Sequence, residues 1–147
     1  MPSIAEQIAQ HVEGLLIDQT PAGGLVMRDR GTVMTREDQT AILIELLDED
    51  PAPLGGGQMA GPGAVEDNVL TLLVVACIRA DDWQYVADTV RTAAHRILAA
   101  DPTLRDYRIR RGRCEWRPAS ADIPFGYCSQ QYRLRYSTQL GDISIVG

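Results

Sequence analysis

The sequence predicts an α+β fold, a mixed, mainly antiparallel twisted sheet with two main helices packed against it, in the order α-β-β-β-α-β-β. Three observations predict it. Two stretches, opening at Ile4 and at Trp83, repeat apolar residues at helical spacing; residues 40–47 and 68–80 are apolar on both parities; and the last long stretch, from Gln130, alternates strictly. With 147 residues, 45% of them hydrophobic, the chain suffices for one domain with a real core and is short for two. A single domain over 1–147 is expected.

Ser3 can accept from the free N–H groups of a first helix in which Ile4, Ile8, Val12, Leu15 and Leu16 share a stripe. Pro21, Gly23 and Gly24 end it, so it spans about 4–17. "GLVMRD" at 24–29 reads as a short strand, and "TREDQ" at 35–39 as a polar break. In "TAILIELL" at 40–47 only Glu45 interrupts the apolar run, as in a strand covered on both sides or nearly so. A stretch rich in Pro and Gly follows, and a mobile loop is expected over about 50–66.

"NVLTLLVVACIRA" at 68–80 is β-branched and apolar on both parities, the pattern of a central strand. Asp81 or Asp82 then caps the strongest helix, with Trp83, Val86, Ala87, Val90, Ala94, Ile97 and Leu98 on one stripe, ending before Asp101-Pro102. Tyr107 and Ile109 open the next strand on odd positions, while Cys114 and Trp116 continue it on even ones. A bulge or tight turn at Arg111-Gly112 is therefore expected. In the last strand Tyr132, Leu134 and Tyr136 take one face, and Gln131, Arg133 and Arg135 the other.

The tail, about 139–147, carries Ile143, Ile145 and Val146 after a Gly141-Asp142 break. Three large apolar residues need cover, each worth roughly 1.5–3 kcal/mol when fully buried. Either they fold back on their own sheet, or they leave as an extended arm toward a neighbouring subunit. The break favours the arm.

The net charge of −6 argues against general binding to nucleic acid or membranes, yet it is unevenly placed. Residues 1–67 carry 12 acids against 3 arginines, a net −9, and residues 68–147 carry 8 acids against 11 arginines, a net +3. All 14 basic residues are Arg, the side chain suited to fixed, bidentate protein contacts. No signal-peptide pattern or membrane-length apolar run is present, so synthesis in the cytosol is expected. Cys77, Cys114 and Cys128 form no CxxC pair and read as reduced thiols of the sheet.

Chemistry-bearing motifs are weak. Gly55, Gly57 and Ala60 fit GxGxxA, but the pattern runs into Pro62-Gly63 rather than a helix. A Walker-type phosphate loop needs a lysine, and there is none. His11 and His95 sit at the edges of two helical stripes without metal spacing. Asp48-Glu49-Asp50 lacks the alternation of a calcium loop and reads as a solvated strand end or an electrostatic contact. No histidine is placed to activate a nucleophile. The expectation is a protein without enzymatic activity, cofactor or metal.

The arginines carry the remaining signal. Arg108 and Arg110 share a parity, as do Arg113 and Arg117, and Arg133 and Arg135; as neighbouring strands they would make one basic face. A solvated face, a protein interface and a nucleic-acid surface all remain open. Tyr132, Tyr136 and Trp116 take the opposite parity, which removes the stacking aromatics that single-stranded RNA readers use.

Taken along the chain, "AGGLVMRDRG", "AILIELLDEDP", "DDWQYVADTVRTAAHRILAADPTL" and the closing "YRLRYSTQLGD" resemble the tail terminator, or tail completion, proteins of long-tailed bacteriophages. The resemblance implies a structural role without catalytic residues. It implies a ring, typically of six, on the head-proximal end of the tail tube, which stops tube polymerisation and meets the head-tail connector protein. DNA would pass through the ring without sequence-specific binding, and the protein would be assembled into the virion in the host cytoplasm. Arg28, Asp29, Arg133, Tyr136 and Asp142 are implied contact or framework residues. Charge and tail add Asp48, Glu49, Asp50, Arg135, Ile143 and Ile145 as interface candidates. Competing expectations are another head-tail joining protein of the neck, and a small cytosolic ligand-binding domain or enzyme.

Overall fold

Ser3 caps the first helix as its sequence requires, its Oγ accepting the Glu6 N–H at 3.2 Å. The computed structural model describes residues 1–28, 39–53, 65–119, 124–139 and 141–147. Its elements are α1 (Ile4–Leu16), β1 (Val26–Met27), β2 (Thr40–Pro53), β3 (Val65–Arg79), α2 (Trp83–Ala100), α3 (Pro102–Asp106), β4 (Arg110–Pro118), β5 (Phe125–Gln139) and β6 (Asp142–Val146). The sheet order is β1-β2-β3-β5-β4, with β6 also on β5. Among the described residues only the β1–β2 pair is parallel. The fold is thus the α+β arrangement the sequence predicts.

The apolar double parity of β3 has a direct cause, since β3 is buried on both faces from Leu70 to Ile78. One face, with Ile42, Ile44, Leu70, Leu72, Val74, Ala76, Ile78, Tyr132 and Leu134, lies under α1 and α2 and forms the main core. The other buries a smaller cluster of Met27, Ala41, Leu43, Leu73, Val75 and Cys77. Helix α2 meets the sheet through Ala87, Val90, Ala94 and Leu98, with small residues at two of those positions. Its first residue, Trp83, lies flat on Gly126 of β5, where a Cβ would collide with the ring.

Two bulges set which side chains face where. In β4 the register slips between Arg111 and Cys114, so Gly112 and Arg113 together span one partner residue, the expected phase change. In β2 it slips between Leu46 and Asp48. This second slip was unread in the sequence, and it leaves Leu46 and Leu47 exposed at 37% and 52% where a covered strand is expected.

Other differences follow from local chemistry. The stretch around Tyr107 and Ile109, read as strand, belongs to a turn after α3, because the Asp101 side chain accepts the Leu104 N–H at 3.0 Å and Pro102 occupies the first turn. The loop expected over 50–66 is strand at both ends, in β2 up to Pro53 and in β3 from Val65; residues 54–64 lie outside the described residues. The tail, for which the sequence favours an arm, returns as β6. It pairs Thr138 with Val146 and Gln139 with Asp142, and the Gly147 N–H donates to the Ser137 carbonyl at 2.9 Å. Strand β5 outruns β4 there, so its last backbone groups need another partner.

Candidate subunit interface

The face of the sheet turned away from the helices collects the arginines. On β5, Tyr132, Leu134 and Tyr136 are buried beneath the helices, so period-two geometry sends Arg133 and Arg135 to the other side, where both are exposed. Arg110 on β4 lies directly opposite Arg133. The Arg135 N–H donates to the Tyr107 carbonyl at 2.7 Å, which holds Arg108 beside the same row. Arg108 itself has φ of 53°, the left-handed region that residues other than glycine enter at a cost of about 1–2 kcal/mol.

These residues line a cleft of about 350 Å³ bounded by Val69, Arg108, Arg110, Arg111, Arg133 and Arg135. Among the described residues its one ion pair is Arg135 Nη2 to Asp67 Oδ2 at 3.6 Å. Four arginines of this face, Arg108, Arg110, Arg133 and Arg135, therefore meet a single carboxylate, while Arg111, opposite Tyr132, turns its charge toward the helix side. Like charges directly across strands are unfavourable, and solvent screening is what keeps the free protein tolerant of them.

Opposite charge lies across β3 on the same face. The register places Asp48, Thr71 and Arg133 in one lateral row and Asp50, Val69 and Arg135 in the next. At roughly 4.8 Å per strand the acids stand about 10 Å from those arginines. Asp48 and Asp50 are exposed, and among the described residues neither pairs with a cation. Beside them, β1 pairs only with Ile42 and Leu43, and the Arg28 Nε donates to the Ile44 carbonyl at 3.3 Å where β1 stops. From Glu45 on, β2 has no outer strand among the described residues. Pro51 and Pro53 are in keeping with such an edge.

The remaining candidates separate into surface and framework. Arg28 forms a bidentate pair with Glu6, at 2.9 Å to each carboxylate oxygen, and so ties β1 to α1. That hydrogen bonding holds the Glu6 carboxyl below its ordinary range and raises the Arg28 guanidinium. Tyr136 is buried, and its hydroxyl, beside the Glu49 carboxylate, makes no hydrogen bond of good geometry among the described residues. Burial first, then the nearby Glu49 carboxylate, push the phenol well above its usual range. Asp142 shapes the β5–β6 turn by accepting from the Ser144 hydroxyl at 2.6 Å and its N–H at 3.0 Å, which lowers the carboxyl. Ile143 and Ile145 stay exposed on β6 at 51% and 40%. Asp29 lies outside the described residues. Sequence reasoning missed the pairing of Leu46-Leu47 with the acid run, because an unbroken apolar string hides a bulge.

Both histidines belong to the framework. The His11 Nε2 meets Asp101 Oδ2 at 2.8 Å. His95 stacks on Tyr132 with ring centroids 5.8 Å apart, its Nδ1 3.0 Å from the Tyr132 hydroxyl. The Cys114 and Cys128 thiols lie 3.2 Å apart between β4 and β5. Among the described residues no group of three or more His, Cys, Asp or Glu is arranged to hold a metal, and no helix is long and apolar enough to cross a membrane.

No protein-family model matches this chain, and no curated protein does. Among solved structures, it is similar to a chain of the virion of a native gene transfer agent particle, with a TM-score of 0.57 and 14% identity. The match covers 92% of this chain and 96% of that one. At that identity the likeness is one of fold, and it takes in nearly every element of both chains.

Proposed function

We propose that the protein is a non-enzymatic structural component of a phage-like virion, and specifically a tail terminator that closes into a ring, of six subunits, on the head-proximal end of the tail tube. The observation that carries this reading is the separation of opposite charge across β3 on one sheet face. A ring repeats one heterologous contact until it closes, so each subunit must carry two different and complementary surfaces. The acidic side at β2 and the arginine side at β4 and β5 are such a pair. The fold-level likeness to a chain of a virion particle supports the same setting, as does the sequence resemblance to tail terminators.

In this role the ring stops tube growth and offers its far surface to the head connector, while DNA passes through without sequence-specific contacts. The exposed Ile143, Ile145 and Val146 of β6 supply an apolar contact for the tube. The test is to add the purified protein to polymerising tail-tube subunits and image the products. Tubes that stay short and carry a ring at one end are the expected result. Unlimited tube growth, with the protein bound only to head connectors, would instead assign it to the neck.

A further inference from the structure

We propose that Cys114 of β4 and Cys128 of β5 form a redox-modification site, which a small-molecule disulfide closes into an intramolecular bond that staples β4 to the sheet. The inference is independent of the ring reading. The two sulfurs lie 3.2 Å apart on the helix side of the sheet, where Cys128 is part of the main core and Cys114 packs against it. Both are thiols. A disulfide needs about 2.05 Å between sulfurs, so closure asks for an approach of roughly 1 Å. The strand can supply it. Cys114 is the first paired residue after the β4 bulge, where the ladder to β5 is interrupted and the backbone has slack. Among the described residues β4 pairs with β5 alone, so this edge strand gains most from a covalent tie.

The surroundings suit thiol–disulfide exchange. Cys128 is buried, with 1% exposure, whereas Cys114 is half-buried and is the sulfur that a reagent reaches. Over the pair stands Arg91 of α2. Its Nη1 donates to Gln130 Oε1 at 3.2 Å, and its guanidinium lies 5.4 Å from the centroid of the Trp116 ring. Gln130 and Trp116 are the register partners of Cys114 and Cys128, so one guanidinium spans both cysteines. A cation there stabilises the negative charge that a reacting sulfur carries. In the first step the Cys114 thiolate attacks one sulfur of the small disulfide, forms a mixed disulfide and releases one thiolate. Cys128 loses its proton, attacks the Cys114 sulfur and expels the second. One small disulfide and two protein thiols become one protein disulfide and two small thiols, the two protons passing to the released thiolates. Burial, then the hydrogen bond to Cys114, push the Cys128 thiol above its ordinary range, which suits it to the second, intramolecular step, where proximity offsets a low thiolate fraction. A reducing cytosol keeps the pair open, and transfer to an oxidising medium closes it.

The experiment treats the folded protein with oxidised glutathione, then unfolds it and reads its mass with and without alkylation. The expected product is lighter than the parent by two hydrogen atoms and keeps one alkylatable thiol, that of Cys77, which lies in the smaller cluster on the other face of the sheet. Its melting point should stand roughly 5–10 °C above that of the reduced protein, because the bond closes a short loop in the unfolded chain. Cys128→Ser should instead hold glutathione on Cys114, and Cys77→Ser should close as the parent does. Arg91→Gln should slow closure several-fold, and Arg91→Lys should restore it. Three alkylatable thiols after the oxidant, glutathione that persists on the parent protein, a bond that takes in Cys77, or an oxidised form that melts no higher than the reduced one would overturn the staple. Closure of Arg91→Gln at the parent's rate would overturn the part given to Arg91.

Discussion

Arg110 of β4 stands directly opposite Arg133 of β5, a like-charge pair in a cross-strand register. Directly opposed side chains on neighbouring strands interact by about 0.2–1 kcal/mol, with like charges on the unfavourable side. Arg110→Glu should therefore leave the monomer as stable as the parent or more stable by about 0.5 kcal/mol, while assembly weakens. Thermal unfolding of dilute protein checks the first half and sedimentation the second. A variant that unfolds several degrees early would mean that the arginine has a structural partner.

The Arg28–Glu6 pair should behave in the opposite way. It joins two elements distant in sequence and, although partly exposed, is bidentate. After allowance for solvent screening, Arg28→Ala should cost about 1 kcal/mol of stability, seen as a melting point lower by a few degrees. Assembly of the folded fraction should be unaffected. Unchanged stability together with lost assembly would move Arg28 from framework to interface.

His95 sets an acid-side dependence. Burial, then the charges of Arg111 and Arg91, hold its pKa below the ordinary 6.5. The folded state thus resists the proton that the unfolded chain accepts. Its contribution is complete above about pH 6.5 and is lost as pH falls toward the depressed folded value. Chemical unfolding on either side of that window should show the loss, and His95→Gln should flatten it. An equal slope in the variant would place the dependence elsewhere.

Tyr136 contributes through its ring, which packs edge-on against Tyr107 with centroids 6.0 Å apart. Its buried hydroxyl stands beside the Glu49 carboxylate but makes no hydrogen bond of good geometry among the described residues, so it recovers little of the hydration it gives up. Tyr136→Phe should keep or raise stability, by up to about 1 kcal/mol. A loss larger than that, measured by denaturant unfolding, would show that the hydroxyl is satisfied.

The legible parts of this chain were those fixed by periodicity. The stripes of α1 and α2, the double-parity β3 and the alternating β5 each encode their burial directly, and the slip at Arg111-Gly112 is readable because Cys114 and Trp116 change parity. The bulge at Leu47 left no such trace, since apolar residues stand on both sides of it. Arg133 and Arg135 were legible as one face, but their convergence with Arg108 and Arg110 depends on a register that no local pattern carries. Arg28 and Tyr136 are framework for a related reason. Their partners, Glu6 and Tyr107, lie far away in sequence.

The most direct test of the central claim, that subunits close head to tail through opposite charge, is the mass of the free protein by sedimentation at two ionic strengths. At about 0.05 M salt, where screening is weak, a single closed oligomer is expected, and at about 1 M salt it should dissociate to folded monomers. A protein that is monomeric at low salt, or whose oligomer is indifferent to salt, would contradict the account.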